Sequence, residues 1–178
     1  MTQIPQTRAR VFAYGSNMLT ARLKERVPSA KAIGIGQLSS CVLRWHKRGR
    51  DGSGKCDLER TRRSEDGVWG VIFELDAADK PALDQAEGLG RGYVERRVDV
   101  ATSRGVVRVL AYVATARDLR LRPYHWYKDL VIAGAREHGL PKEYIQQLET
   151  TPSNRDPDDA RAAKNENLLA ASQLPDPD

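Results

Sequence analysis

The 178-residue chain has only two cysteines and three histidines, and it has no long apolar run. No run approaches the roughly 20 residues that a membrane-spanning helix requires. Cys41 and Cys56 form no CxxC motif, and the histidines show no metal-ligand spacing, so we expect reduced thiols and no metal site. The first ten residues lack the apolar core of a signal peptide, which predicts a cytoplasmic protein.

Positive charge is in excess, with a formal net charge of +5 and a pI near 9.4. This excess favours anionic ligands, which include nucleic acids, acidic lipids and small carboxylates. The arginine-rich stretches "WHKRGR", "ERTRR" and "RDLRLRP" are scattered along the chain, and no nucleic-acid-binding module accompanies them. We therefore expect a mostly solvated basic surface, with neither a nucleic acid nor a membrane as partner.

Hydrophobic periodicity predicts several strands with short helices between them. Strands are expected at Arg10 to Tyr14, at Val68 to Leu75 and in a hairpin about Ser103-Arg104-Gly105. Residues 31–48 alternate as one long, bent strand, and residues 49–57 are rich in glycine and predict a loop. Regular βαβ alternation is missing, which indicates an α+β fold with a mixed, curved, barrel-like sheet flanked by short helices.

Composition divides the chain into three parts. Residues 1–9 are expected to be an N-terminal extension and residues 10–151 a single domain. Residues 152–178 are rich in Asp, Asn, Ala and Pro, which predicts a polar, weakly ordered tail whose removal leaves the domain intact.

Two local patterns carry the candidate chemistry. Gly15-Ser16-Asn17 follows the first strand and allows two interpretations: a simple turn that uses positive φ, or a set of backbone N–H groups that binds an anion. Glu87 falls in the last turn of a short helix that Gly88 ends, where the negative end of the helix disfavours a second anion. Asp84, one turn earlier, is expected to face solvent.

Four blocks of the chain together resemble the γ-glutamylcyclotransferase-like family. They are, in order, "FAYGSNM", "VWGVIFEL", "LDQAEGLGRGYV" and "GAREHGLPKEYIQQL", and they span roughly residues 11–148. The resemblance implies a mixed β-barrel flanked by helices and an enzyme without metal or other cofactor. It also implies release of 5-oxoproline from a small γ-glutamyl substrate. The segment between Trp45 and Val68 departs from the pattern of the animal enzymes, which leaves the substrate open.

The family's functional residues can be carried over by motif. The catalytic glutamate matches Glu87, and the substrate-binding loop matches Tyr14, Gly15, Ser16 and Asn17. Two further family tyrosines match Tyr93 and Tyr127. Taken singly, these three tyrosines are also consistent with core rings whose hydroxyls are satisfied.

Such a site needs no protein nucleophile, because the α-amine of a γ-glutamyl group can attack its own γ-carbonyl. One carboxylate can then act as base and acid in turn. The alternatives within this chemistry are a γ-glutamylamine cyclotransferase and an enzyme that removes a γ-glutamyl protecting group. From other classes, a non-catalytic binding domain for an acidic metabolite and a nucleic-acid-binding protein stay open, as does the oligomeric state.

Overall fold

A computed structural model describes residues 7–173 of the chain. The strands are β1 (Arg8–Ala13), β2 (Lys31–Ser39), β3 (Cys41–Arg48), β4 (Gly54–Arg60), β5 (Gly67–Asp76), β6 (Tyr93–Thr102) and β7 (Gly105–Ala114). The α-helices are α1 (Thr20–Arg26), α2 (Lys80–Glu87), α3 (His125–Glu137), α4 (Lys142–Glu149) and α5 (Asp159–Ser172). Short 3-10 turns lie at Ser16–Met18 and Ala77–Asp79.

Five of the strands close into a barrel in the order β1-β5-β2-β6-β7. Neighbouring strands are antiparallel except where β1 meets β7, which it pairs in parallel at Val11 and Leu110. The side chains that fill this core include Phe73, Val71 and Val100, all fully buried. The α+β class and the barrel-like mixed sheet are therefore confirmed, as is the hairpin of β6 and β7.

The long bent strand expected over residues 31–48 is wrong, because Ser40 divides it into β2 and β3. Ser40 adopts a φ of 55°, in the left-handed region. Its N–H donates to the carbonyl of Asp66, and its carbonyl accepts from the N–H of Thr61. These contacts turn the chain out of the barrel, so β3 joins a separate two-stranded sheet with β4.

The glycine-rich loop expected over residues 49–57 is shorter than predicted. β4 begins at Gly54 and pairs with β3 from Gly54 opposite Arg48 to Arg60 opposite Cys41. Cys56 and Leu58 are buried on this strand. The pairing and the burial convert the second half of the expected loop into regular structure, and they bring Cys56 into the core.

The end of the described chain also differs from the expectation of a weakly ordered tail. α5 packs against α1 and α3. Asp156, which is buried, accepts a hydrogen bond from the indole N–H of Trp126 over 2.7 Å. Arg161 binds the same carboxylate from the first turn of α5. A buried charge with two partners thus holds this segment to the domain, together with Ala162, Leu168 and Leu169 of α5, which pack against the core. The extent of the domain stays a prediction.

Helix α3 fixes the turn that follows β1. Gly134 lies where the two meet, and a Cβ atom there would stand 2.4 Å from the backbone nitrogen of Leu19 and 2.6 Å from the carbonyl carbon of Met18. Only glycine permits this approach. The turn at Ser16–Met18 is therefore clamped between the barrel and α3.

Candidate active site

The loop after β1 is formed by Tyr14, Gly15, Ser16 and Asn17, and it leads into the 3-10 turn. Within the described chain, the backbone N–H groups of Gly15, Ser16 and Asn17 donate to no protein acceptor. Of the two interpretations of this loop, the turn that uses positive φ does not match the structure, since Gly15 has a φ of −116° and neither Ser16 nor Asn17 is in the left-handed region. Three donors are therefore available at the start of the turn.

A glycine is needed at position 15 because there is little space for a side chain, and not because the backbone conformation requires one. A Cβ atom on Gly15 would lie 3.1 Å from the Cβ of Cys56 and 3.2 Å from the hydroxyl oxygen of Tyr127. Contacts that short force a neighbour to move. The glycine thus lets the loop lie directly against β4 and α3.

Glu87 ends α2, and Gly88 closes the helix with a φ of 70°, as the sequence predicts. The Oε1 of Glu87 accepts the side-chain N–H of Asn17 over 2.6 Å and an N–H of Arg26 over 3.1 Å. Arg26 also donates to the Oδ1 of Asn17 over 2.8 Å. The three side chains form a closed ring of hydrogen bonds that leaves Oε2 of Glu87 without a partner among residues 7–173.

All seven residues expected at the site lie around one small pocket. Its lining contains Glu87, the four loop residues, Tyr93 and Tyr127, together with Phe12, Ala13, Cys56 and Tyr112. The carboxylate is largely shielded, because only 15% of the Glu87 side chain is exposed. A wider cavity of about 750 Å³ adjoins this pocket and shares Ser16, Glu87, Tyr93 and Tyr127 with it.

The pocket tyrosines are neutral hydrogen-bonding groups. Tyr14 donates to the carbonyl of Tyr112, Tyr93 donates to the carbonyl of Cys56 over 2.7 Å, and Tyr127 accepts from the N–H of Cys56 over 3.2 Å. Burial raises the pKa of Tyr14, Tyr93 and Tyr127 well above the ordinary value. These rings therefore add polar groups to the wall without adding negative charge beside Glu87.

Cys56 lines the pocket, a position that no sequence motif indicates. The thiols of Cys56 and Cys41 are both free and buried. Burial raises the pKa of Cys56 to about 12, despite the opposing hydrogen bond from Tyr127. The thiol at the pocket is therefore protonated at neutral pH and is not a nucleophile.

Sequence reasoning missed Tyr112 and Arg26 and misplaced Asp84. Tyr112 lies on β7 among alternating residues, and its hydroxyl donates to the Oδ1 of Asp84 over 2.5 Å. Lys80 binds that same carboxylate, so Asp84 is a structural anchor rather than a solvent-facing residue. Asp84 does not line the pocket. The alternation on β7 could have indicated Tyr112, whereas no local pattern indicates Arg26.

The three histidines lie outside the pocket: His46 lies 3.0 Å from the buried Asp57, and His138 and His125 contact hydroxyls of Thr20 and Ser153. In residues 7–173, no group of three or more His, Cys, Asp or Glu side chains could hold a metal ion. None of the helices described is long and apolar enough to cross a membrane.

Comparison with known proteins gives consistent matches. The model of the AIG2-like family matches residues 67–148. A human protein named gamma-glutamylcyclotransferase is 33% identical over 150 residues, covering 80% of this chain and 78% of the human protein. The mouse protein of the same name is 31% identical over 156 residues with the same coverage. A solved structure named gamma-glutamyl cyclotransferase superimposes with a TM-score of 0.82 at 27% identity, covering 92% of this chain and 99% of that one.

Proposed function

The chain belongs to the γ-glutamylcyclotransferase family, and from that premise we propose that it cyclises the γ-glutamyl group of a small amide or peptide. In this reaction the α-amino nitrogen of the substrate bonds to its own γ-carbonyl carbon. The bond between that carbon and the amide nitrogen breaks. The products are 5-oxoproline and a free amine or amino acid, and no protein group becomes covalently attached.

The free N–H groups of Gly15, Ser16 and Asn17 support this proposal. A γ-glutamyl group carries an α-carboxylate, and its γ-carbonyl oxygen becomes an oxyanion during the attack. Backbone donors fixed in advance stabilise such charges more effectively than mobile groups do. The loop holds the substrate folded on itself, and an intramolecular attack held in that geometry needs several kcal/mol less activation.

Glu87 performs both proton transfers in the proposed mechanism. Its Oε2 first accepts a proton from the α-ammonium group, which frees the nitrogen lone pair for attack. The same carboxyl group then returns that proton to the departing nitrogen as the bond to carbon breaks. Glu87 finally passes the remaining extra proton of the attacking nitrogen to the freed amine, which leaves as an ammonium group, so the charge on Glu87 is restored at the end of the cycle. Asn17 and Arg26 are positioning residues: they hold Oε1 and leave Oε2 for the substrate.

The proposal rests on one observation: Oε1 of Glu87 is held by hydrogen bonds while Oε2 is free, and three backbone N–H groups without a protein acceptor line the same pocket. The test is incubation with γ-glutamyl dipeptides, γ-glutamyl-lysine and glutathione, followed by measurement of 5-oxoproline. We expect 5-oxoproline and the free amine in equal amounts. Binding of these compounds without any 5-oxoproline would contradict the proposal and favour the non-catalytic binding domain.

A further inference from the structure

The wider cavity beside Glu87 has a strongly basic wall. Seven lysine and arginine side chains line it, whereas Glu87 is the one carboxylate among its lining residues. Three of the cations are already paired with carboxylates: Arg26 with Glu87, Lys55 with Asp51, and Arg48 with Asp118. The other four, Arg22, Lys47, Arg50 and Arg91, have no carboxylate within salt-bridge distance in the described part of the chain.

Arg22 is the first of two partly buried cations in this wall. It extends from α1 and donates to the hydroxyl of Ser16 and to the side-chain carbonyl of Asn165, both over 3.0 Å. Both partners are neutral. Burial, followed by repulsion from Arg26, lowers the pKa of Arg22 to about 10, which still leaves it charged at neutral pH.

Lys47 is the second, and it belongs to β3. Its ammonium nitrogen stands 4.5 Å from the centre of the Tyr93 ring, and a Cβ atom on Gly92 would lie 3.0 Å from its Cε. The side chain is thus held against the ring that also lines the inner pocket. Burial lowers the pKa of Lys47, with Glu87 acting in the opposite direction.

We infer, on the basis of the proposed function, that this cavity receives the leaving amine and selects amines that carry two acidic groups. The α-carboxylate of the γ-glutamyl part has the loop N–H groups as donors, and Glu87 already neutralises Arg26. The charges of Arg22 and Lys47 are therefore matched by neither the protein nor the γ-glutamyl part. Arg22 and Lys47 extend from separate elements, α1 and β3. A leaving group with a single acidic group therefore neutralises the charge of only one of them.

The acidic amino acids have the required chemistry, with an α-carboxylate and a second carboxylate on the side chain. An amino acid that carries a phosphate has it as well. Arg50 and Arg91, which are exposed and also line the cavity, add attraction for either. A cationic leaving group meets repulsion from the same wall, so the structure disfavours the γ-glutamylamine alternative.

A matched pair of substrates tests the inference. γ-Glutamyl-glutamate and γ-glutamyl-glutamine have nearly the same shape and differ by one negative charge. One charge-assisted contact predicts a kcat/KM for 5-oxoproline release that is about ten-fold higher for the glutamate compound. γ-Glutamyl-lysine should be the poorest substrate, and γ-glutamyl-phosphoserine shows whether phosphate or carboxylate is the better second acidic group. The preference for the glutamate compound over the glutamine compound should shrink as the salt concentration is raised.

Lys47→Met should reduce the glutamate to glutamine ratio of kcat/KM towards one. Arg104→Gln removes the same charge from the turn between β6 and β7, outside the cavity lining, and should leave the ratio unchanged. If Lys47→Met is poorly folded, Arg91→Gln supplies the second variant and should lower the ratio in the same direction. A parent ratio near one, or equal ratios in the Lys47 and Arg104 variants, would overturn the inference.

Failure of the inference can be told apart from failure of the proposed function. If both peptides are turned over at similar rates, the inferred selectivity is contradicted, whereas the proposed cyclotransferase reaction is supported. If no compound yields 5-oxoproline, the proposed function fails, and calorimetric Kd values for the same two peptides decide the inference. Equal Kd values then contradict it, and a Kd about ten-fold lower for the glutamate peptide supports the anionic subsite.

Discussion

Asn17 donates its side-chain N–H to the Oε1 of Glu87 over 2.6 Å, although the two residues lie 70 positions apart in the chain. The contact joins the loop after β1 to the end of α2. It engages the side chain of Asn17, in addition to the backbone N–H that the sequence suggested. Since Arg26 bonds to both residues, two side chains hold the Oε1 of Glu87.

The first prediction is that Glu87→Gln removes turnover and preserves binding. Glutamine keeps the acceptor for Asn17 and Arg26 but cannot carry the proton between the two nitrogens. We expect kcat to fall by about 10²–10⁴-fold, as is typical for loss of a general acid and base. Rates of 5-oxoproline release, Kd values and thermal melting on one preparation check this. Glu25→Gln, an exposed change on α1, is the control, and a folded Glu87→Gln that retains near-parent kcat would exclude Glu87 as the acid and base.

The second prediction is that Asn17 acts on Glu87 through its amide group. Asn17→Ala removes a hydrogen bond to a charged group, so kcat should fall roughly ten-fold to a hundred-fold. Asn17→Asp has the same size but places an oxygen where the amide donor stood, so it should be at least as impaired. Steady-state kinetics separate kcat from KM for both variants. Near-parent kcat in Asn17→Asp would show that Asn17 contributes only by packing.

The third prediction concerns the space around Gly15. Gly15→Ala forces Cys56 or Tyr127 to move, because the new Cβ would lie 3.1 Å and 3.2 Å from them. A displacement of a few tenths of an ångström should lower kcat/KM by less than the ~10²-fold that a 1 Å misplacement causes, and Gly15→Val should be worse. Gly34→Ala on β2 is the matched control, since a Cβ there meets nothing within 4 Å. Equal activity of the Ala variants would separate the loop from catalysis.

The fourth prediction concerns acid stability at α5. Arg161 is the main cause that lowers the pKa of Asp156 from 3.8 to about 2, with further hydrogen bonds from the Asp158 N–H and Trp126. Because the folded pKa is the lower one, the carboxylate stabilises the fold above about pH 4 and loses that contribution as the pH falls towards 2. Asp156→Asn should lower Tm at neutral pH and flatten the change of Tm between these pH values. Melting curves followed by tryptophan fluorescence check both, and a parallel pH dependence in parent and variant would contradict the prediction.

Local signals in the sequence were sufficient for several elements. The alternation of apolar residues in β6 and β7 predicts the hairpin, and the glycine after Glu87 predicts the end of α2. Both signals depend only on residues that are close in sequence. The break at Ser40 depends on Asp66 and Thr61, which lie more than twenty positions away. The same holds for α5, which is held by distant partners such as Trp126, through Asp156, and Arg22, through Asn165. Elements fixed by such distant partners leave no periodic signature.

In the site, too, some residues are predicted by motifs and others are brought together only by tertiary contacts. The motifs indicated seven pocket residues, and the structure brings all of them to one pocket. Gly15 belongs to the loop motif, and the structure adds that its neighbours Cys56 and Tyr127 leave little space for a side chain there. Arg26 and the basic wall were missed, because each cation comes from a different element and becomes part of a site only when the barrel closes. Roles for these residues stay predictions until the variants are measured.

The contact between Arg22 and Asn165 has a consequence for the protein on the ribosome. The loop and α1 are made early, yet β7, which closes the barrel on β1, and α5, which holds Arg22, are among the last described elements to be made. Synthesis proceeds from the N-terminus at about 5–20 residues per second. A nascent chain therefore has the loop after β1, and Arg22 on α1, for several seconds before Asn165, the α5 partner of Arg22, has been made.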